Sequence, residues 1–384
     1  MKNSLQGVVV IDLSTEISGP FTSKMLADQG AEVIKIEPKE GDPSRRFPPF
    51  LDENDQTESS AYFMYLNTNK KSVVLDLESS SDQSTLENLL SNADICVENF
   101  SPAESKRLGI TYDRLSKINP GLVLTSITGF GGEGPYKDYK GADIVYQALG
   151  GYHYLSGQFT REPVQSAYNQ SQLTAGRYAL VPTLAALRHK RRTGEGQHVE
   201  ISTIECMASL PPSHIPVYTY AGTVTGRGPG RKVVMDGDFL ECKDGYICLT
   251  TGGGNTMEQW AIFFEMFELL EPEFETAALR LQNSDRLDEL FKPILDNWEK
   301  KVFMKEAMDQ RFVVGMVQTP QDIINCPQLE AREFFHEISH PVAGTYQYPG
   351  PGFRWDNDNP LRGSQPAPLL GQHTDEIITK FAVA

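Results

Sequence analysis

The first forty residues alternate between short apolar runs and a helical segment, and this alternation constrains the fold of the 384-residue chain most strongly. Val8–Leu13 is short and apolar, as expected of a strand buried on both faces, and Glu32–Glu37 is a second such strand. Between them, Ser18–Pro20 marks the start of a helix over Phe21–Gln29, with Gly30 as its C′ residue. Two strands joined through a helix are expected to run parallel with a right-handed crossover.

The same alternation continues through the next ninety residues. Strands are predicted over Ser72–Leu77, Ile95–Glu98 and Leu122–Ile127. Helical segments are predicted over Ser84–Asn92 and Leu108–Ile118. Repeated strand–helix alternation predicts a doubly wound α/β domain with a Rossmann-like parallel sheet.

A second, smaller domain is predicted after a change in composition near residue 222. The segment Gly222–Arg231 is rich in glycine and unlike its surroundings. A β-hairpin follows, with strands Phe239–Cys242 and Tyr246–Leu249, and helices are predicted over Met257–Leu270 and Ser284–Gln310. We therefore predict an α+β domain at residues 225–330 and a large domain at residues 1–224, completed by 331–384. The proline-rich tail is predicted to contain little regular structure.

Composition limits the partners and the compartment. A formal net charge of −16 argues against a nucleic acid or an anionic membrane surface as partner, and it means that an anionic ligand needs a local basic pocket. The sequence shows no signal-peptide pattern and no run of 18 apolar residues. Five scattered cysteines predict reduced thiols. We expect a cytoplasmic protein with no membrane span.

Two motif matches do not predict cofactor sites. Gly129–Gly134 fits G-x-G-x-x-G, but Pro135–Tyr139 follows instead of the helix that a dinucleotide site requires, so a turn is predicted. His336 and His340 are four residues apart, yet they lack a third ligand. We predict neither a metal site nor a covalently bound cofactor.

Ordered segments along almost the whole chain resemble family III CoA-transferases, the group of formyl-CoA transferase, carnitine CoA-transferase and α-methylacyl-CoA racemase. The segments that carry this resemblance are Val10–Leu13, Ser18–Pro20, Ala31–Glu37, Gly41-Asp42, Asn69–Ser72, Val97–Phe100, Arg107–Gly109, Tyr139–Gly141, Gly150-Gly151, Thr193–Gln197 and Leu369–Thr374. The resemblance implies ring-shaped monomers, each with a large and a small domain, interlocked as a dimer. It also implies coenzyme A and acyl-CoA as substrates.

The resemblance also implies which residues bind CoA. The implied contacts are Ile17, Ser18, Lys39, Asn99, Phe100, Arg107 and Lys140. One phosphate-binding arginine of the family falls at Pro38, with Lys39 beside it. Arg227, Gly228 and Gly230 lie where the family has a mobile glycine loop over the reacting centre. Further basic residues near predicted strand ends are candidates for phosphate neutralisation: Arg45, Arg46, Lys70, Lys71, Lys106 and Lys137.

The position of the family's nucleophilic aspartate carries a glutamine. In the family this aspartate lies four residues before a glycine and 21 before the threonine of T-G-x-G-Q. Counting back from Gly176 and from Thr193 both reach Gln172, whose carboxamide cannot attack a thioester as a carboxylate can. The histidine that the racemase branch needs is also replaced, because the corresponding segment reads Gly141-Ala142-Asp143.

Three interpretations follow from this replacement. In the first, the chain is the non-catalytic subunit of a heteromeric CoA-transferase of the benzylsuccinate type, and a homologous partner supplies the aspartate. Alternatively, it is active alone, as an acyl-CoA transferase or isomerase, through another carboxylate such as Glu16 or Asp143. The third interpretation is a CoA-binding scaffold without activity. The sequence does not identify the acceptor acid.

Overall fold

The computed structural model describes residues 4–51, 56–157, 161–227, 236–250, 256–354 and 363–382. The chain divides into two compact units. The first unit contains Met1–Tyr154, Val164–Thr225 and Glu330–Ala384, and the second contains Leu155–Pro163 and Gly226–Leu329.

A six-stranded parallel sheet forms the centre of the first unit. Its strands are β1 (Val9–Asp12), β2 (Glu32–Glu37), β3 (Lys70–Val74), β4 (Ile95–Glu98), β5 (Val123–Thr128) and β6 (His198–Ser202). The order across the sheet is β3-β2-β1-β4-β5-β6, and all neighbouring pairs run parallel. The strand order reverses between β1 and β4, where open α/β sheets bind ligands at the carboxyl edge. The predicted Rossmann-like α/β class is confirmed.

The described residues before Gly226 contain eleven α-helices. They are α1 (Ser18–Ala27), α2 (Gln56–Ser59), α3 (Ala61–Leu66), α4 (Ser80–Ser91), α5 (Pro102–Leu108), α6 (Tyr112–Ile118), α7 (Asp143–Leu149), α8 (Tyr152–Leu155), α9 (Gln170–Thr193), α10 (Thr203–Ser209) and α11 (His214–Ala221). A short 3₁₀ helix covers Pro43–Arg46.

Apolar side chains cover both faces of the sheet. Ile11 and Ile34 belong to one buried cluster, whereas Val10 and Val33 belong to another. Neighbouring residues of a strand point to opposite faces. This arrangement explains why the strands read as continuous apolar runs rather than as alternating ones.

Some predicted elements of the first unit differ from the structure. The predicted helix Leu108–Ile118 begins only at Tyr112, as α6, because Gly109 takes a left-handed φ of 72° and ends a preceding helix, α5, that the sequence did not predict. The third strand begins at Lys70 rather than Ser72. Strand β6 was missed, since it is an edge strand with several exposed polar residues.

The second unit contains a three-stranded antiparallel sheet. Its strands are β7 (Asp236–Cys242), β8 (Gly245–Thr250) and β9 (Val314–Met316), so the predicted hairpin is confirmed. The helices from this part of the chain are α12 (Met257–Phe264), α13 (Ala277–Gln282), α14 (Ser284–Leu295), α15 (Lys300–Asp309), α16 (Pro320–Ile324) and α17 (Pro327–Ala331), with 3₁₀ turns at Phe267–Leu270 and Pro272–Phe274. Both long predicted helices are therefore interrupted. Trp260 and Phe303 lie fully buried in the core of this unit.

The C-terminal tail has more regular structure than its prolines predicted. Strands β10 (Phe335–His340) and β11 (Gly344–Pro349) form an antiparallel hairpin, and α18 (Thr374–Ala382) follows. Pro341 lies in the hairpin turn and Pro349 ends β11, which are positions where a sheet tolerates proline. Helix α18 buries Ile377 in the core of the first unit.

Candidate active site

A layer of buried ion pairs lies beneath the carboxyl edge of the sheet. Lys70 Nζ lies 3.0 Å from Asp12 Oδ2, Lys35 Nζ lies 2.7 Å from Asp42 Oδ2, and all four side chains are buried. Burial raises the pKa of Asp12, but the charges of Lys70 and Lys35, together with hydrogen bonds from Ser14 and Ser23, lower it to about 2. Paired buried charges of this kind order the loops above them.

Two of the basic residues that we considered for phosphate binding belong to this layer. Arg45 donates from Nε and Nη2 to Glu37, at 2.8 and 2.9 Å, and from Nη1 to Glu58, at 2.7 Å. Lys70 donates to Asp12, Asn67 and the carbonyl of Pro20. Both cations are fully engaged within the fold, so the expectation that they neutralise a ligand phosphate is wrong.

The loop between β1 and α1 is held by Asn99. The side-chain oxygen of Asn99 accepts the Thr15 N–H at 2.8 Å, and its Nδ2 donates to the Thr15 carbonyl at 2.7 Å. A longer contact of 3.4 Å joins Nδ2 to Ser18 Oγ. Ile17 is buried with Phe21 in an apolar cluster. Asn99 therefore holds the backbone of this loop, and Ile17 anchors the loop in the apolar cluster.

A cavity of about 430 Å³ opens at the carboxyl ends of β1 to β4. It brings together three of the predicted CoA contacts, Lys39, Phe100 and Arg107. The lining is completed by Leu13, Thr15, Ile36, Glu37, Pro38, Glu40, Leu75, Asp76, Leu77, Glu78 and Leu108. Ile17, Ser18, Asn99 and Lys140 are not part of this lining.

Lys140 and Arg107 nevertheless both act on one carboxylate of α5. Glu104, on that helix, has a pKa lowered chiefly by a hydrogen bond from Ser101, and also by the charges of Arg107 and Lys140. Lys140 is exposed, and Arg107 donates to Glu78 at the rim of the cavity. Both cations are within electrostatic reach of the Glu104 carboxylate.

The second turn of α9 packs closely against the start of α1. A Cβ added at Gly176 would lie 2.6 Å from the Ser18 carbonyl oxygen, so glycine is needed for this approach. Thr22 Oγ1 strengthens the contact by donating to the Gly176 carbonyl at 3.0 Å. Gln172 is one turn earlier on the same face of α9 and is half-buried. Gln172 therefore lies one turn before the point where α9 contacts the start of α1.

Asp143 is a buried carboxylate that holds the start of α9. Its Oδ1 accepts the Ser171 N–H at 2.9 Å and the Ser171 hydroxyl at 2.6 Å. Its Oδ2 accepts from Gln147 at 2.6 Å and from Gln165 at 3.2 Å. The side chain of Asn169, at the N-cap position of α9, makes no capping hydrogen bond, and Asp143 supplies that contact from a distant part of the chain.

This arrangement argues against Asp143 as a displaced nucleophile. Both carboxylate oxygens are occupied by donors, and only 6% of the residue is exposed. The sequence could not reveal the capping role, because Ser171 is 28 residues away from Asp143.

Glu16 has a different environment from Asp143. Its backbone is in the left-handed region, with φ of 63°, and its N–H donates to Asp42 Oδ1 at 3.2 Å. Burial raises the pKa of Glu16, and the charge of Asp42 raises it further. The pKa of Tyr146 is raised by burial and by Glu16, so the phenol and the carboxylate lie near each other. Glu16 is only half-buried and can be reached from solvent.

Tyr146 also explains part of the glycine-rich segment. A Cβ added at Gly129 would lie 2.5 Å from the Tyr146 hydroxyl oxygen, so Gly129 leaves room for the ring. Phe130 packs edge-on against Tyr136, Tyr139 and Tyr146. The next helix, α7, begins only at Asp143, which confirms that Gly129–Gly134 is a turn.

The remaining predicted residues are placed as follows. Arg227 is half-buried, and Gly228 and Gly230 lie outside the described residues. Within the described ranges, the structure shows no group of three side chains that could hold a metal ion. No helix in these ranges is both long enough and apolar enough to cross a membrane.

Comparison with known proteins identifies the family. The sequence model of CoA-transferase family III matches residues 5–374. A succinate–glutarate CoA-transferase of Agrobacterium fabrum is 27% identical over 388 residues, covering 99% of this chain and 96% of that protein. Subunit BbsE of the succinyl-CoA:(R)-benzylsuccinate CoA-transferase of Thauera aromatica is 31% identical over 383 residues, covering 97% and 92%.

A solved structure is also similar over the full length. The crystal structure of a CaiB/BaiF family protein from Brucella suis has a TM-score of 0.89 and 28% identity, covering 99% of this chain and 100% of that one. The chain therefore belongs to CoA-transferase family III.

Proposed function

We propose that this chain is a subunit of a CoA-transferase that moves CoA from an acyl-CoA such as succinyl-CoA to a carboxylic acid. We further propose that it does not supply the nucleophile. The observation that carries this proposal is Gln172, an amide on the first turn of α9, at the spacing from Gly176 where the family has its aspartate. The close packing at Gly176 supports the assignment, because it leaves no room for a shift of the helix.

The chemistry explains why an amide at this position matters. In the family reaction, the aspartate attacks the acyl-CoA thioester and forms a mixed anhydride with release of the CoA thiolate. The thiolate then attacks the aspartyl carbonyl, which expels the donor carboxylate and leaves an aspartyl-CoA thioester. The acceptor carboxylate attacks this thioester and expels the thiolate, which finally attacks the acceptor carbonyl to form the new acyl-CoA and release the aspartate. A neutral carboxamide has no anionic oxygen for the first attack. Gln172 is therefore not expected to form the covalent intermediate.

The donor is proposed from the names of the relatives. The protein from Thauera aromatica is named as using succinyl-CoA, and so is a human relative that is 29% identical, the succinyl-CoA:glutarate CoA-transferase. The acceptors in these names are all carboxylic acids. We infer succinyl-CoA as the donor for this chain and leave the acceptor at the level of a carboxylic acid.

We propose that the partner is a homologous chain interlocked with this one. The relative from Thauera aromatica is named as a subunit, which supports a heteromer. Helix α11 buries none of its residues, and Ile215, Tyr218 and Tyr220 on it are 57%, 59% and 91% exposed. Apolar surface of this extent favours coverage by another chain. A monomer in sedimentation at micromolar concentration would contradict this assembly.

The CoA contacts can be tested with matched variants. If Arg107 and Lys140 hold CoA phosphates, replacing either with Ala should weaken binding by about 1.5–3 kcal/mol, the range for hydrogen bonds to charged groups. Lys106→Ala is the matched control, because Lys106 is an exposed cation on the same helix outside the cavity. Unchanged affinity in calorimetry for both test variants would remove these residues from the site.

A second candidate function is turnover by this chain alone through Glu16. The raised pKa of Glu16, its half-exposed carboxylate and its neighbour Tyr146 favour this alternative. The pure chain and the chain co-purified with a second family member should be assayed with succinyl-CoA and a panel of acids. Turnover only in the presence of the partner supports the proposed function. Turnover by the pure chain that Glu16→Gln abolishes supports the alternative, and CoA binding without turnover in either sample supports a scaffold.

A further inference from the structure

The charges around the cavity are unusual for a site that holds a polyanion. Its two cationic lining residues are Lys39 and Arg107, whereas Glu40, Asp76 and Glu78 are exposed carboxylates of the same lining. Glu37 also lines the cavity, but its charge is buried against Arg45. The exposed rim therefore carries more negative than positive charge, in a protein whose net charge is already −16.

One of the two cations already has an anionic partner. Arg107 Nη1 donates to Glu78 Oε1, and both side chains are more than half exposed. The position of Glu78 is set by its backbone, because its N–H donates to Asp76 Oδ1 at 2.9 Å. Any phosphate that approaches Arg107 must compete with the Glu78 carboxylate.

The walls of the cavity suit the uncharged parts of a nucleotide. They are apolar, formed by Leu13, Ile36, Leu75, Leu77, Phe100 and Leu108. Carboxylates at the ends of strands in such sheets accept hydrogen bonds from ribose hydroxyls, whereas an arginine there accommodates a ribose phosphate. At the end of β2, Pro38 and Glu40 flank Lys39. This end of the cavity therefore favours contacts with ribose hydroxyls over contacts with a ribose phosphate.

We propose that this cavity recognises the nucleotide of CoA through its base and ribose and gives no preference to the 3′-phosphate. CoA and 3′-dephospho-CoA then bind with similar affinity, and Glu78 is the residue that sets this specificity. This inference rests on the proposed function, because it requires the nucleotide end of CoA to occupy the cavity.

Calorimetry with CoA, 3′-dephospho-CoA and pantetheine tests the proposal on the intact protein, with its partner if one co-purifies. The wild-type affinities for CoA and 3′-dephospho-CoA should agree within about threefold, with pantetheine weaker. Glu78→Gln frees Arg107 and should tighten CoA binding by up to about fivefold, the upper range for an exposed ion pair, and should tighten 3′-dephospho-CoA binding less. Glu87→Gln is the matched control, since Glu87 pairs with Arg114 outside the cavity.

The outcomes separate this inference from the proposed function. A wild-type preference for CoA above tenfold would overturn the inference and leave the CoA-transferase assignment intact. An equal effect of Glu78→Gln on both nucleotides would also overturn it, because the effect would then not involve the 3′-phosphate. Failure of both nucleotides to bind would contradict the inference and the proposed CoA site together.

Discussion

The ion-pair layer beneath the sheet edge and the start of α9 both stabilise buried carboxylates, but with different partners. In the layer, the buried carboxylates of Asp12, Glu37 and Asp42 each have a cationic partner. At α9, the buried carboxylate of Asp143 receives hydrogen bonds from a backbone N–H, a hydroxyl and two amides. The first region is a complete electrostatic framework. The second region instead uses uncharged donors to hold the first turn of α9, which carries Gln172.

The largest effect is expected from breaking the ion-pair layer. Arg45→Met should destabilise the protein by about 3–5 kcal/mol, because it leaves Glu37 buried without its partner. Arg46→Met is the control, since the Arg46 guanidinium donates to the Glu40 carbonyl in an exposed contact and should cost little. Chemical denaturation of both variants measures the difference. Equal stability of the two variants would show that the layer does not hold the fold.

A somewhat smaller effect is expected at the start of α9. Asp143→Ala leaves the donors of Ser171 and Gln147 without their acceptor and should cost about 3 kcal/mol. Asp138→Ala, an exposed acidic residue in the preceding loop, is the matched control. A change in stability no larger than that of the control would contradict the capping role.

Glu98 is a further buried carboxylate, and its contribution to folding stability is expected to depend on pH. It is buried at the end of β4, where its Oε2 accepts the Phe100 N–H at 2.7 Å and the Ser105 hydroxyl at 3.3 Å. Burial raises its pKa to about 7, in contrast to the cation-paired Asp12. The folded state then binds more protons than the unfolded state between about pH 4.5 and 7. Stability from this group is therefore present below pH 4.5 and lost as the pH rises to 7.

The variant Glu98→Gln measures this contribution. It should flatten the dependence of unfolding free energy on pH between 5 and 8 and gain up to roughly 2–3 kcal/mol relative to wild type over that interval. Denaturation at several pH values provides the test. A slope identical to that of wild type would mean that the pKa of Glu98 is not raised in the folded protein.

The sheet could be predicted from sequence because its information is local. Apolar runs such as Ile95–Glu98 and Glu32–Glu37 match the observed strands, since buried parallel strands leave continuous apolar stretches. Strand β6 and the hairpin of β10 and β11 were missed because exposed polar residues interrupt their patterns. The break at Gly109 depends on one left-handed residue, whose conformation the sequence did not specify.

The candidate site was less predictable because its key contacts are distant in sequence. Spacing identified Gln172, but the carboxylate that caps its helix is 28 residues before Ser171. Composition did not show that Arg45 and Lys70 are buried in ion pairs rather than available to a ligand. The pairing of Arg107 with Glu78 likewise depends on two separate loops meeting at the cavity rim.

The smallest effect is expected at Gln172 itself. Gln172→Ala should leave turnover of the complex unchanged, because the amide takes no part in the covalent steps. Gln172→Asp, whose side chain is one methylene shorter, is the companion variant. It should give this chain partial activity of its own if the new carboxylate reaches attack geometry. Misplacement by about 1 Å can cost a hundredfold in rate, so only partial recovery is expected. Loss of turnover in a Gln172→Ala complex that still assembles and binds CoA would show that Gln172 acts directly in catalysis.

The location of the covalent intermediate tests the central claim most directly. The complex should be incubated with succinyl-CoA, the aspartyl-CoA thioester trapped with hydroxylamine or borohydride, and the modified peptide identified by mass spectrometry. We expect the modification on an aspartate of the partner chain and none on this chain, including residues 165–180. Modification of Glu16, Asp143 or any other carboxylate of this chain would contradict the account.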